Sequence, residues 1–260
     1  MNLIPMTVRF FVAIIAISAA GPASAALLLI EEDFNGSDAT NLTGKTPTTL
    51  DGSLSGETWQ GPTAASAPFD FERNGEIDAN NNTTWVDIGS LINDAKGDSN
   101  GIFTVEATFA GAPTTGSWFS LGFYTTPSAT SGGNGNLEAG ILFRDNGDLE
   151  GWSDNDGNIV AGDFAENITT ETISVELDLS SWDNNVSNFG TITFTGGSDS
   201  ETHDLGADFD WGAVGFGTSS GVTGTIESFA FTQVIPEPSS WLLLTGLFAL
   251  ACLRRRRRRG

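Results

Sequence analysis

Two stretches of strict two-residue alternation constrain the fold of this 260-residue chain more than any other feature. In residues 103–109 the apolar side chains Phe, Val, Ala and Phe are separated by Thr, Glu and Thr, and residues 173–179 repeat the pattern with Ile, Val, Leu and Leu. Successive side chains of a β-strand point to opposite faces of the sheet, so each stretch predicts a strand with one buried face. No long helical period is present. The chain is therefore predicted to be all-β.

Further strands are predicted where short runs rich in Val, Ile, Phe and Trp lie between clusters of Gly, Thr, Ser, Asn and Asp. Asn146 and Gly147 mark a hairpin turn. These additional strands cover residues 27–33, 117–124, 137–144, 149–152, 189–195, 212–217 and 225–234. Nine or more short strands predict a two-sheet antiparallel β-sandwich, a jelly roll, over residues 26–233. Another β-sandwich or a β-helix is the alternative architecture.

The N-terminal 25 residues have the organisation of a secretory signal peptide. Arg9 precedes an apolar segment at residues 10–20, and Ala23 and Ala25 provide the small-x-small pattern that signal peptidase cleaves. Cleavage after Ala25 would start the exported protein at the next residue. The alternative is a retained N-terminal anchor, which the shortness of the apolar segment disfavours.

Residues 234–260 combine three features in order. A rigid Pro-Glu-Pro motif, made of Pro236, Glu237 and Pro238, is followed by an apolar stretch at residues 241–253. The basic end after this stretch consists of Arg254, Arg255, Arg256, Arg257, Arg258 and Arg259. As a helix the stretch would reach about 20 Å, short of a hydrocarbon core of about 30 Å, and snorkelling arginines would close that gap. Six arginines resist translocation, which predicts that the preceding chain lies outside the membrane. Nucleic-acid binding by the arginines is the alternative, and the acidity of the remaining chain disfavours it.

In this order of features the C-terminus resembles the PEP-CTERM sorting signal. The resemblance implies that an exosortase, a membrane-embedded transpeptidase, recognises Pro236, Glu237 and Pro238 and removes the tail. It further implies export across the inner membrane of a Gram-negative bacterium, to the cell surface or to an extracellular matrix that contains exopolysaccharide. The membrane would be reached only through the C-terminal helix before processing.

The charge of the segment between the two sorting signals limits its partners. Of the 33 acidic residues only Glu237 lies outside residues 26–235, and that segment has four basic residues, so its formal charge is −28. Such a charge disfavours nucleic acid and anionic lipid, and it leaves neutral glycans or divalent cations. The single cysteine, Cys252, lies in the tail, so the exported domain has neither a disulfide nor a thiol nucleophile.

A second resemblance concerns the body of the chain. Glu-Asp-Phe-Asn-Gly at residues 32–36, Gly-Ile-Leu-Phe-Arg at residues 140–144 and Gly-Thr-Ile-Glu-Ser-Phe at residues 224–229 are similar to segments of concanavalin A-like and laminin G-like jelly rolls. The resemblance implies a function in carbohydrate binding, adhesion or glycan cleavage.

Aromatic side chains are the candidates for sugar binding, because the C–H faces of sugar rings pack on aromatic rings. Trp118, Tyr124 and Trp152 are selected, and Trp211 is a further candidate. Within residues 117–124 the alternation puts Trp118 and Tyr124 on one face and three apolar side chains on the other. If the latter are core, the Trp118 side lines an open sheet surface. The alternative is that Trp118 and Tyr124 pack beneath a loop or the second sheet.

No motif requires a cofactor, and calcium is the one metal that a loop suggests. Asp154, Asp156 and Asn158 space three oxygen ligands as a calcium loop does. An EF-hand loop needs glycine at its sixth position and glutamate at its twelfth. Here the glycine comes two residues early, at Gly157, and the twelfth position is Ala165, so the loop is not an EF-hand. An Asp/Asn/Gly turn between strands is the alternative.

Candidate catalytic groups are incomplete. Glu176 and Asp178 match the start of the Glu-x-Asp-x-x-Glu pattern of laminarinase-type retaining glycosidases, but Ser181 occupies the position of the acid. The alternative is that both carboxylates are solvent-facing side chains of an amphipathic strand. A triad from a serine, His203 and Asp204 lacks the Gly-x-Ser-x-Gly elbow. No catalytic residue is therefore predicted.

These features predict a non-enzymatic, exported surface or matrix protein whose sandwich binds exopolysaccharide or has a structural role. A secreted polysaccharide-degrading enzyme is the first alternative, and a calcium-dependent protein–protein adhesin is the second.

Overall fold

A computed structural model describes residues 24–35, 41–61, 75–79, 83–113, 118–125, 137–153, 163–165, 171–219 and 221–236. Residues Ala25–Pro236 form one compact unit. All the buried apolar side chains recorded for the described residues lie between Leu29 and Phe231, so this unit has a hydrophobic core of its own.

The described residues form fifteen strands and three short helical turns. The helical turns are α1 (Leu91–Asp94) and the 3-10 helices Gly52–Leu54 and Asn184–Val186. The strands are β1 (Ser24–Glu32), β2 (Thr49–Leu50), β3 (Trp59–Gln60), β4 (Glu76–Ala79), β5 (Thr83–Asp87), β6 (Ile102–Phe109), β7 (Trp118–Tyr124), β8 (Leu137–Arg144), β9 (Leu149–Ser153), β10 (Asp163–Ala165), β11 (Glu171–Asp178), β12 (Thr191–Gly196), β13 (Asp199–Asp204), β14 (Ala213–Thr218) and β15 (Val222–Pro236).

The strands form two sheets. The eight-stranded sheet has the order β13-β12-β11-β6-β15-β1-β2, with β4 also paired to β15, and the seven-stranded sheet has the order β10-β9-β8-β7-β14-β5-β3. Adjacent strands such as β6 and β11, or β7 and β8, run antiparallel. The prediction of an all-β, two-sheet antiparallel sandwich is confirmed.

The two alternating stretches of the sequence become neighbouring strands, β6 and β11, at the centre of the eight-stranded sheet. Val105 lies opposite Val175, and both are fully buried. On the other face Thr104 lies opposite Glu176, toward solvent. The period-two pattern therefore predicted the buried face of each strand correctly.

Aromatic rings join the sheets across the core. The ring of Phe109 on β6 stacks on that of Phe119 on β7 at a centroid distance of 4.9 Å. Trp59 lies 5.2 Å from the rings of both Phe216 and Phe229, which belong to opposite sheets. Such pairs add about 0.5–1.5 kcal/mol each beyond the burial of their area, so they fix the packing of the two sheets.

The hairpin predicted at Asn146 and Gly147 is confirmed between β8 and β9. The Arg144 amide donates to the Asp148 carbonyl at 2.8 Å, and Gly147 has a φ of +87°, a left-handed conformation that favours glycine.

No helix within the described residues has the length and apolar character to cross a bilayer. The predicted membrane helix at residues 241–253 lies outside the described residues, as do Glu237, Pro238 and the six arginines. Ala23 also lies outside them, whereas Ala25 belongs to β1 and Pro236 ends β15.

Candidate functional site

The seven-stranded sheet has an apolar face on each side. Toward the eight-stranded sheet, β7 contributes Phe119, Leu121 and Phe123 to the main core. Away from it, Tyr124 joins a second buried cluster, against which Trp118 and Trp152 pack while partly exposed; the other members of this cluster are Trp85, Leu137, Leu142 and Ala213. We call this side of the sheet the outer face. The division of β7 into a core side and a Trp118 side is thus as predicted.

Three glycines form a row across the centre of the outer face. Gly215 on β14, Gly122 on β7 and Gly140 on β8 are direct cross-strand partners. Trp85 continues the row at one end and Trp152 at the other. With strands about 4.8 Å apart, the Cα atoms of the two tryptophans are about 19 Å apart. The row is a strip without side chains between two indoles.

Tyr124 occupies part of this strip. Its hydroxyl lies 3.3 Å from the Ser120 Oγ, and the two residues flank Gly122 on the same face of β7, so the phenol ring extends over the glycine. The ring is fully buried, which raises the pKa of the phenol well above its usual range, and the hydrogen bond between the Tyr124 and Ser120 hydroxyls opposes that shift only in part. Tyr124 therefore supports the outer face and does not present a ring to solvent, contrary to the expectation of an open stacking surface.

The tryptophans of the outer face differ in exposure. Trp85 is 6% exposed, and its Nε1 donates to the Asp87 carboxylate at 3.1 Å. Trp118 and Trp152 are partly exposed. The Nε1 of Trp152 is buried and has no hydrogen-bond partner among the described residues. Of the described aromatic side chains on this face, Trp118 and Trp152 are therefore the ones that a ligand can reach.

One ion pair lies beside Trp118. Arg144 is the direct cross-strand partner of Trp118, and its Nε and Nη2 both donate to the Glu150 Oε2. The side chain of Glu150 is only 8% exposed, whereas that of Arg144 is 34% exposed. The carboxylate is thus covered, while part of the guanidinium is accessible next to the indole.

The predicted metal ligands Asp154, Asp156 and Asn158 lie outside the described residues. Among the residues that are described, no group of three or more His, Cys, Asp or Glu side chains is arranged to hold a metal ion. The calcium prediction stays a prediction.

The incomplete glycosidase pattern lies on the other sheet. Glu176 and Asp178 are on β11, where Glu176 lies between Thr104 and Thr193 on the solvent face of the eight-stranded sheet. Partial burial raises the pKa of Glu176, and the negative charge of Asp178 raises it further. Ser181 is exposed. The pair belongs to a threonine-rich surface remote from the aromatic outer face.

His203 and Asp204 do not act together. They are consecutive residues of β13 and therefore point to opposite faces of the sheet. The His203 Nε2 lies 3.1 Å from a carboxylate oxygen of Glu201, and its ring lies 6.0 Å from that of Phe194. His203 and Asp204 are therefore not arranged as the histidine and aspartate of a Ser-His-Asp triad.

Sequence reasoning missed the glycine row and the Arg144–Glu150 pair. The alternation in residues 137–144 and 213–217 indicates that Gly140 and Gly215 share a face opposite the apolar residues. Which strands are neighbours, however, is a property of the folded sheet.

No family model and no curated protein matches this chain. Among solved structures it is similar to the CBM2 module of the evolved Dit of Lactobacillus casei BL23 phage J-1, at 10% identity and a TM-score of 0.46, with 81% of this chain and 97% of that chain covered. It is also similar to the metal-free carbohydrate recognition domain of Emp46p, at 14% identity and a TM-score of 0.39, covering 74% and 94%. A third is alginate lyase A1-II′ of polysaccharide lyase family 7, at 10% identity and a TM-score of 0.33, covering 68% and 75%. These similarities are too distant to assign a function.

Proposed function

We propose that this chain is an exported glycan-binding protein of the bacterial surface or matrix, and that the outer face of its seven-stranded sheet holds the glycan. The observation that carries the proposal is the pair of partly exposed indoles, Trp118 and Trp152, on one otherwise buried apolar cluster. Aromatic faces of this kind accept the C–H surfaces of sugar rings. The partly exposed guanidinium of Arg144, beside Trp118, can donate to sugar hydroxyls.

Binding, without turnover, is the activity that the described residues of this face support. Glycoside hydrolysis by two carboxyl groups requires an acid and a second carboxylate on either side of the scissile bond. Glu150, one of the acids on the outer face, is covered and holds Arg144. Asp87 accepts the hydrogen bond of Trp85. Both carboxylates therefore have structural partners that fix their position.

The binding proposal is tested by calorimetry of residues 26–236 with the exopolysaccharide of the producing organism. We expect saturable binding that Trp118→Ala weakens at least about tenfold, or about 1.4 kcal/mol, because a central aromatic contact is lost. Trp182→Ala is the matched control, since Trp182 is also partly buried but packs beside Lys96, away from the outer face. Absence of heat with the wild-type domain, or equal loss in both variants, would contradict the proposal.

We propose in addition that signal peptidase cleaves after Ala25 and that an exosortase processes the tail at Pro236, Glu237 and Pro238. The charge order of the tail supports this, and so does the position of Pro236, the first residue of the motif, as the last residue of β15. The mass of the protein recovered from the native cell surface should lack the residues beyond about Pro238. An intact arginine end on that protein would refute processing, and Glu237→Ala provides a variant expected to retain the tail.

A further inference from the structure

We propose that the outer face selects uncharged glycans, and that the Arg144–Glu150 ion pair sets this selectivity by neutralising the cation beside Trp118. This inference rests on the proposed glycan-binding function. It goes beyond that function because it names the chemical class of the ligand and the residue pair that decides it.

The charge distribution is the first argument. Among the described residues, the outer face has one cation, Arg144, which is paired with the Glu150 carboxylate, and a further carboxylate, Asp87, which accepts a hydrogen bond from Trp85. The segment around it has a formal charge of −28. A polymer of uronic acids would meet a surface of its own sign, and like charges brought together in a partly desolvated site are repelled. A neutral polysaccharide meets no such penalty.

The geometry of the ion pair is the second argument. Two N–H groups of Arg144, on Nε and Nη2, are bound to one oxygen of Glu150, and the carboxylate is 8% exposed. The charge of the guanidinium is therefore balanced from within the protein, and a ligand anion is not needed to balance it. Arginine has five N–H donors, so donors remain for sugar hydroxyls next to Trp118.

The pair also makes the selectivity reversible by a single substitution. Glu150→Gln keeps the size of the side chain and removes its charge, leaving the guanidinium of Arg144 without its counterion. A partly buried, uncompensated cation favours a new anionic partner, and a uronate carboxylate can bind guanidinium through two parallel hydrogen bonds. We therefore expect the variant to gain affinity for acidic polysaccharides.

The experiment is native affinity electrophoresis of residues 26–236 in gels that contain either neutral polysaccharides (laminarin, galactomannan, dextran) or polyuronates (alginate, polygalacturonate). The wild-type domain should be retarded by a neutral polysaccharide and pass freely through polyuronate gels. Glu150→Gln should be retarded by a polyuronate, with an affinity at least about tenfold above wild type that falls at high salt. The control Glu176→Gln makes the same change of net charge on the other sheet and should behave as wild type.

Each result has a distinct meaning. Retardation of the wild-type domain by polyuronates as strongly as by neutral polysaccharides overturns the selectivity while leaving glycan binding in place. A folded Glu150→Gln domain without gain, or an equal gain in Glu176→Gln, overturns the role assigned to the ion pair. Retardation of the wild-type domain by neither class contradicts glycan binding itself. The wild-type comparison tests selectivity even if Glu150→Gln does not fold, and Arg144→Gln combined with Glu150→Gln should abolish the gain.

Discussion

Lys96 holds the loop before β14 in place, and its removal is expected to destabilise the domain by about 2 kcal/mol. Its Nζ donates to the Asp208 carboxylate at 2.6 Å and to the Phe209 carbonyl at 2.8 Å, and it lies 5.8 Å from the centroid of the Trp182 ring. The Lys96 side chain is only 13% exposed, while that of Asp208 is 41% exposed. The contacts are thus concentrated on one covered ammonium group.

The magnitude follows from these contacts. Hydrogen bonds to a charged group contribute about 1.5–3 kcal/mol to stability. Because the Asp208 side chain is exposed to solvent, the contribution of its ion pair with Lys96 lies at the lower end of that range. Lys96→Met keeps most of the aliphatic stem in contact with Trp182 and removes only the charge and the donors. A loss of about 2 kcal/mol lowers the Tm of a domain of this size by roughly 4–8 °C.

Urea unfolding of residues 26–236 at pH 7, followed by tryptophan fluorescence, measures this loss. Lys45→Met is the matched control, because it removes one cation from the same acidic domain, and no ion pair is recorded for Lys45 among the described residues. A change below about 0.5 kcal/mol in Lys96→Met, or an equal change in Lys45→Met, would refute the argument from local contacts. In a double-mutant cycle, Asp208→Asn should cost much less in the Lys96→Met background than in wild type.

Two further predictions concern the sheets. The pKa of Glu176 is raised above its ordinary 4.5, so the ionised carboxylate destabilises the folded state. Glu176→Gln should therefore raise the free energy of unfolding at pH 7. This gain should disappear below about pH 4, where glutamate is protonated in both the folded and the unfolded state. Unfolding curves at both pH values check this, and a gain independent of pH would contradict it. Gly122→Ala places a Cβ 2.1 Å from the Ala139 carbonyl oxygen, a backbone atom of the neighbouring strand, so we expect a loss of about 1–3 kcal/mol by thermal unfolding. Gly52→Ala, with open space around its Cβ, should be nearly neutral.

The strands with one buried face could be predicted from the sequence, and the edges of the sheets could not. β6 and β11 alternate strictly because they lie at the centre of a sheet with solvent on one side and core on the other. β13, Asp199–Asp204, is an edge strand of almost wholly polar residues, so nothing in its sequence indicates a buried face. β2 and β3 have two residues each and give no periodic signal.

The candidate site could be predicted only along one strand. The alternation of β7 placed Trp118 opposite the core side, which the structure confirms. The burial of Tyr124 depends on the apolar cluster that it joins, whose other members, such as Trp85 and Leu142, come from neighbouring strands, and its hydroxyl lies beside that of Ser120. Likewise Glu150 meets Arg144 because a hairpin brings β9 against β8, a contact that residue types alone do not specify.

The central claim is that glycan binds on the outer face, and the indole N–H resonances of residues 26–236 test it most directly. This segment contains six of the seven tryptophans, which single Trp→Phe variants assign. During titration with the exopolysaccharide, we expect the Trp118 and Trp152 signals to shift, while those of the buried Trp59 and Trp211 remain in place. Shifts at Trp182 with unchanged Trp118 and Trp152 signals would place the ligand elsewhere and contradict the account.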